Sequence, residues 1–185
     1  MTPTTIARAT LDDLYREEGK AELIDGRIVR YMATGHLPNF VAGEIFSHLR
    51  AYAKAKRRGA AYTDGIGFAV PELPSGRESF SPDASYYDGP LPANLMRFIE
   101  GVPALAVEVR RENDYGPAAE QDMADKRTDY FQAGTLVVWD VDPVAETVAV
   151  YRAGPDNPTI YHRGDMADAY PALGSWTMSV DDIFA

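Results

Sequence analysis

The sequence predicts an α+β fold in which helices pack on a central mixed sheet. Three observations predict it. Residues 104–110 read Ala-Leu-Ala-Val-Glu-Val-Arg. Leu105, Val107 and Val109 fall on one face, Ala104, Ala106, Glu108 and Arg110 on the other. Apolar residues on both faces mark an interior strand. A helical pattern over 117–133 follows, and then a second apolar run, Leu136-Val137-Val138-Trp139. That is a strand–helix–strand crossover. Finally, the elements run helix, hairpin, helix, several strands, helix, strands, with no separating linker. Residues 1–185 therefore read as a single domain.

The elements follow from local chemistry. Thr10 has the character of an N-cap before Leu11, Asp12, Asp13 and Leu14, and Gly19 would stop that helix. Asp25-Gly26 lies between two apolar runs, a hairpin signal, because both turn positions want positive φ. A helix is expected over 39–58, with Val41, Ile45, Leu49 and Tyr52 on one face and Gly59 at its end. Strands are expected over 60–63 and 66–70, flanking the turn signal Asp64-Gly65. Residues 71–78 form a loop rich in proline and charge. A strand over 81–87 leads to Asp88-Gly89-Pro90 and one helical turn reaching Ile99. After the interior strand, Gly116-Pro117 opens the helix that Gly134 ends. Strands over 135–140 and 147–151 join through Asp142-Pro143. Short strands near 159–162 and 176–180 complete the chain.

Bulk properties narrow the function. The 185 residues are 45% hydrophobic and 25% charged, ordinary for a globular protein. No apolar run approaches the roughly 18 residues that cross a bilayer. Met1-Thr2-Pro3-Thr4-Thr5 lacks the pattern of a signal peptide. With no cysteine, disulfides and thiolate metal sites are excluded, and a soluble cytoplasmic protein is expected. A net charge of −10 argues against a simple nucleic-acid binder. It leaves room for a nuclease, whose metal site itself concentrates carboxylates. The concentrated basic run is Lys54, Lys56, Arg57 and Arg58. It either complements a helix C-terminus or touches phosphate.

Several residues stand out chemically. Glu108 is a carboxylate in an interior strand, costly to bury without a metal ion or a cationic partner. Lys126 falls within the stripe of Ala119, Met123, Tyr130 and Ala133, not on the wet face of its helix. Either its stem snorkels past the core or its ammonium reaches a carboxylate at the sheet, with Glu108 the natural candidate. Asp83 follows a proline at the start of a strand, as in a turn entering a sheet. With Glu108 on a neighbouring strand and an apolar residue after it, Asp83, Glu108 and the Val109 carbonyl suit Mg²⁺. On pattern alone Glu22 is either an exposed polar partner of the first hairpin or a site carboxylate. Asp64, His36 and Asp140 are weaker candidates. The three histidines form no zinc-ligand pair, and there is no phosphate loop or nucleophile elbow.

The pieces Glu22-Leu23-Ile24-Asp25-Gly26, Ser81-Pro82-Asp83, Ala106-Val107-Glu108-Val109, Tyr130-Phe131-Gln132-Ala133-Gly134 and Val138-Trp139-Asp140-Val141-Asp142-Pro143 resemble the Uma2 family, also called DUF820. The resemblance covers nearly the whole chain in order. It implies a restriction-endonuclease-like fold of the PD-(D/E)xK superfamily and a metal-dependent phosphodiesterase site. Asp83 and Glu108 match the two acids of the motif. Its lysine should stand at Arg110, and arginine cannot act as a general base. Lys126 matches the position to which the lysine has migrated in Uma2-like proteins, and Glu22 matches a further acidic position.

Two functions follow. One is a Mg²⁺- or Mn²⁺-dependent DNA endonuclease with Asp83, Glu108, Lys126 and Glu22 at its centre, and with Arg110 or the basic run 54–58 on phosphate. The other is a non-catalytic binding or assembly module of the same fold, where Lys126 and Glu108 form a buried ion pair. A homodimer is expected, using part of the C-terminal third, where Tyr151, Ile160, Tyr161, Tyr170, Leu173, Trp176 and Phe184 exceed what a short tail needs. The competing reading is that these residues cap the sheet of their own chain.

Overall fold

The computed structural model describes residues 8–154 and 157–185. In chain order the elements are α1 (Leu11–Leu14), β1 (Ala21–Ile24), β2 (Arg27–Arg30), α2 (His36–Lys56), β3 (Ala60–Thr63), β4 (Phe68–Ala69), β5 (Ser79–Phe80), β6 (Ala84–Tyr87), β7 (Ile99–Glu100), β8 (Leu105–Val109), α3 (Pro117–Ala133), β9 (Val137–Asp142), β10 (Thr147–Arg152), β11 (Thr159–Tyr161), β12 (Met166–Asp168), β13 (Thr177–Ser179) and α4 (Val180–Ile183). Six of the strands form one sheet in the order β11-β10-β9-β8-β6-β3. β8 and β9 are parallel, with α3 as the crossover between them. The other pairs in the sheet are antiparallel.

The two faces of this sheet carry different partners. Leu105, Val107 and Val109 join Val137, Trp139 and Val141 against Val41, Ile45 and Leu49 of α2. On the opposite face Ala106 and Val138 pack with Tyr130 of α3, Phe68 and Phe80. Alternation along the strand therefore puts Glu108 on the α3 face. That face is shared with the small sheet β5-β4-β7. The hairpin β1–β2 reaches it through β5, where the Ser79 hydroxyl accepts the Leu23 N–H at 2.7 Å. Asp25 and Gly26 turn this hairpin with φ of 49° and 63°, as the dipeptide requires.

Several elements differ from expectation. The first helix is a single turn, capped reciprocally by Thr10 and Asp13. After Leu14 the chain reads Arg-Glu-Glu-Gly-Lys beyond Tyr15, with no apolar residue to continue a buried stripe. The second helix starts earlier, at His36, and takes Pro38 into its first turn, where a missing N–H costs nothing. It ends at Arg57, which adopts the left-handed conformation ahead of Gly59. Residues 66–70 do not fold back on β3. The Asp64-Gly65 turn instead redirects the chain into β4, which pairs with β5 and, in parallel, with β7. No helical turn precedes Ile99. Leu91, Leu95 and Met96 there are exposed and offer no apolar face to bury. At the C-terminus β12, its pairing with β13, and α4 were all unforeseen. Val180, Ile183 and Phe184 close over the α2 core, and Trp176 stacks on Trp139 with ring centroids 5.7 Å apart.

A candidate active site at one end of the central strands

The strand registers bring the acids together. Ala84 pairs with Val107, which brings their chain neighbours Asp83 and Glu108 to the same end of β6 and β8, where both line one cavity. The Asp83 N–H donates to the Val107 carbonyl at 3.0 Å, one residue out of step with the Ala84–Val107 pairing. On one side, the pairing of Thr63 with Ala84 sets Asp64 beside Asp83. On the other, Glu108 pairs with Asp140. Four carboxylates thus run across four neighbouring strands: Asp64, Asp83, Glu108, Asp140. Like charges opposite one another in a sheet repel, and here each acid meets a cation.

Lys20 Nζ donates to Asp83 Oδ1 at 2.7 Å and lies 2.7 Å from Asp64 Oδ1. Lys126 Nζ lies 2.9 Å from Glu108 Oε1. Asp140 takes the guanidinium of Arg110 on both oxygens, at 2.8 and 2.9 Å, and Arg127 at 3.2 Å. The remaining contacts fix orientation. Asp83 Oδ2 accepts the Val109 N–H at 2.8 Å, and Glu108 Oε1 also accepts the Tyr130 hydroxyl at 2.7 Å. The Glu108 side chain keeps 24% of its surface exposed. It lines a cavity of about 480 Å³ together with Asp83, Val109, Arg110, Arg111 and Lys126.

Behind this row lies Glu22. It is 0% exposed, which sets aside the exposed-hairpin alternative. β1 packs against β5, which turns its carboxylate inward beneath α3. Glu22 accepts the Ser81 N–H at 2.9 Å and the Tyr31 hydroxyl at 3.0 Å, pairs with Lys126 at 3.1 Å and forms a close ion pair with Arg77. Arg77 in turn donates to Asp129 of α3 at 2.8 Å.

These surroundings tune the groups in opposite directions. Burial pushes the Glu22 carboxyl up, but Lys126 and Arg77 outweigh it and hold it at about 2. Glu108 is raised, first by burial and then by the Asp83 charge, with Lys126 pulling the other way. Burial works against the Lys126 ammonium, yet Glu108 and Glu22 raise it above the ordinary lysine value. Lys126 therefore stays protonated. Burial and Glu22 push the Tyr31 hydroxyl up to about 12.

The structure thus brings Asp83, Glu108, Val109, Lys126 and Glu22 to one place. It treats the expected phosphate contacts differently. Arg110 lines the cavity but is bound by Asp140 and Glu120, so its charge is balanced within the protein. Lys54, Lys56, Arg57 and Arg58 sit at the C-terminal end of α2, on the far face of the sheet. The Arg58 carbonyl accepts the Tyr86 hydroxyl. Tyr86 pairs with Leu105, at the other end of β8 from Glu108, and none of the four basic residues lines the cavity. Sequence reasoning missed Lys20, Tyr31, Arg77 and Arg111. Of these, Arg111 is 34% exposed in the cavity wall, with Asp114 at 3.4 Å and its guanidinium 5.5 Å from the Tyr31 ring. Tyr130 carried a signal, since it shares the Lys126 stripe. The others lie in irregular segments with no periodic pattern.

The Uma2 family model, described as "Putative restriction endonuclease", matches residues 8–181. The chain belongs to the Uma2 family. A solved structure from Anabaena variabilis ATCC 29413, described as "a putative nuclease belonging to DUF820", superposes with a TM-score of 0.74 at 19% identity, covering 95% of this chain and 97% of that one. This Uma2 chain therefore has a nuclease-type α+β fold. No curated protein matches it. No helix among the described residues is long and apolar enough to cross a membrane.

As a metal centre, the donor set of this Uma2 protein is sparse. Among the described residues no group of three or more His, Cys, Asp or Glu could hold an ion. Mg²⁺ asks for less, since it keeps several waters and takes one or two carboxylates. Asp83 and Glu108, both at the cavity wall with Val109, fit that requirement. Glu108 receives both its Lys126 and Tyr130 contacts on Oε1.

Proposed function

We propose that this Uma2 protein is a metal-dependent DNA endonuclease that hydrolyses phosphodiester bonds. The observation that carries the reading is the lysine-centred cluster at the cavity: Lys126 between Glu22 and Glu108, with Asp83 lining the same cavity. Family membership supports the same class of reaction. Asp83, Glu108 and the Val109 carbonyl would hold Mg²⁺ or Mn²⁺, which when bound supplies a Lewis acid and an acidified water.

The chain's own residues supply the rest. Lys126 is protonated, so it does not take a proton from the attacking water. It orients that water beside Glu108 and offsets the negative charge that grows on the phosphorus oxygens. Glu22 is buried and ionised, and it positions Lys126. Arg111 meets a non-bridging phosphate oxygen, a role Arg110 cannot fill while Asp140 and Glu120 hold it. Two active sites in a homodimer would serve both strands of a duplex.

A specific observation favours a second reading. Lys20 and Lys126 already neutralise Asp83 and Glu108, as a non-catalytic binding or assembly module would require. Plasmid nicking separates the two. With Mg²⁺ or Mn²⁺ the wild type should nick supercoiled DNA, and Glu108→Gln and Lys126→Met should lose about 10²-fold or more. No metal-dependent nicking by the wild type, or nicking that persists undiminished in Glu108→Gln, would leave the module reading standing.

A further inference from the structure

Lys20 has no role in the chemistry above, yet it sits inside the site. Its side chain is 13% exposed, and its ammonium bridges Asp64 and Asp83 at 2.7 Å each. Those two acids are neighbours in the row of four. Its backbone is also fixed, because the Lys20 carbonyl accepts the Tyr31 N–H at 2.9 Å. Lys20 and Lys126 both lie within 6 Å of the Tyr31 ring, at 5.9 and 5.8 Å. The two lysines differ in what they hold. Lys126 binds Glu108 and the buried Glu22. Lys20 binds Asp83 and Asp64, the latter in a turn and more open to solvent.

We propose that Lys20 is a built-in counterion that occupies the Asp83 side of the site and is displaced from Asp83 when a divalent cation binds there. The inference rests on the reading of Asp83 as a metal ligand. The physical basis is competition for one carboxylate. An ammonium 2.7 Å from Asp83 Oδ1 holds the position that a dication would need, and the other oxygen is engaged by the Val109 N–H. Lys20 keeps Asp64 as a partner once it leaves Asp83, so its displacement strands no charge. In the metal-free protein it prevents Asp64, Asp83 and Glu108 from repelling one another. Its presence therefore makes cation binding weaker and makes the empty site stable.

Two measurements test this without reference to activity. The first is Mn²⁺ affinity, by electron paramagnetic resonance or calorimetry, for wild type, Lys20→Met and Asp83→Asn. Lys20→Met should bind about tenfold tighter or more, the scale of losing one charge-assisted hydrogen bond. Asp83→Asn should bind far more weakly than either.

The second uses the unmodified chain, which has four lysines: Lys20, Lys54, Lys56 and Lys126. Lys54 and Lys56 are exposed and serve as internal references for amine acetylation read by mass spectrometry. Acetylation of Lys20 should accelerate several-fold when Mn²⁺ is added, while Lys54 and Lys56 keep their rates. If Lys20→Met does not fold, the labelling result decides alone. Mn²⁺ binding that is lost in Asp83→Asn, but neither strengthened in Lys20→Met nor accompanied by faster Lys20 labelling, overturns the counterion and leaves the metal site intact. No Mn²⁺ binding at millimolar concentration by wild type or Lys20→Met overturns both.

Discussion

Glu22 shows how a single buried acid is kept charged. With Arg77, Lys126, the Tyr31 hydroxyl and the Ser81 N–H around it, the ionised form is favoured despite full burial. Its folded-state pKa, about 2, lies below the ordinary carboxylate value. The stability it contributes is therefore present above the unfolded pKa and lost as pH falls through the folded one. That amounts to roughly 3 kcal/mol between about pH 5 and pH 2. Glu108 is shifted the other way, so its contribution is full at low pH and declines as pH rises. Glu22→Gln should cost about 3–5 kcal/mol at neutral pH, because Arg77 and Lys126 lose their buried counter-charge. Urea unfolding measures this, and the acid limb of the variant should be flatter than that of wild type. At this scale Glu108 and Lys126 were legible because each breaks a periodic pattern, a charge in an interior strand and a charge on a buried stripe. Lys20 and Arg77 were not. Their partners lie 63 and 55 residues away in sequence, and nothing local announces such a pairing.

The element that most depends on these contacts is α3. Only Asp129 and Tyr130 of its 17 residues are fully buried. It is held in place by Tyr130 stacked on Phe80 of the small sheet, with ring centroids 4.2 Å apart, and by the ion pairs of Lys126 with Glu108 and of Asp129 with Arg77. Tyr130→Phe keeps the stacking and removes the hydrogen bond to Glu108. It should cost about 1.5–3 kcal/mol, the range for a hydrogen bond to a charged group, whereas Tyr130→Ala should cost about 3–5 kcal/mol through loss of the ring. Chemical denaturation of the two variants separates the contributions, and equal costs would mean that the hydroxyl carries most of the effect. The long elements α2, α3, β8, β9 and β10 could be read from the sequence, since several turns or alternations repeat the same pattern. β5, β7, β12 and α4 have two to four residues each. A period cannot show itself in so short a span, and these elements exist only because the larger sheet offers them an edge or a face.

Across the whole molecule, the clustered acids and the basic run are divided between opposite faces of the sheet. The cavity and its acids lie on the α3 face, at one end of β6 and β8, and the basic end of α2 lies on the other face. Of the late apolar residues, Leu173 and Phe184 are buried and Trp176 packs on the core, whereas Ile160 and Tyr170 stay exposed. Most of the excess noted in the sequence therefore caps the protein's own sheet. Ile160, Met166 and Tyr170 remain exposed, and they are the residues that the proposed homodimer would bury. Sedimentation at micromolar concentration should give about twice the 20.3 kDa of one chain. A single species at the monomer mass would restrict the proposed endonuclease to cutting one strand at a time. The same division of faces has an optical consequence. The protein has two tryptophans, and they are stacked on each other on the α2 side of the sheet. Intrinsic fluorescence therefore watches the C-terminal cover come away from the core on unfolding, and it views the cavity only through the thickness of the sheet. Events confined to the acids will pass with little change in emission. A tryptophan signal that does respond to metal or DNA will be reporting a rearrangement transmitted from one face to the other.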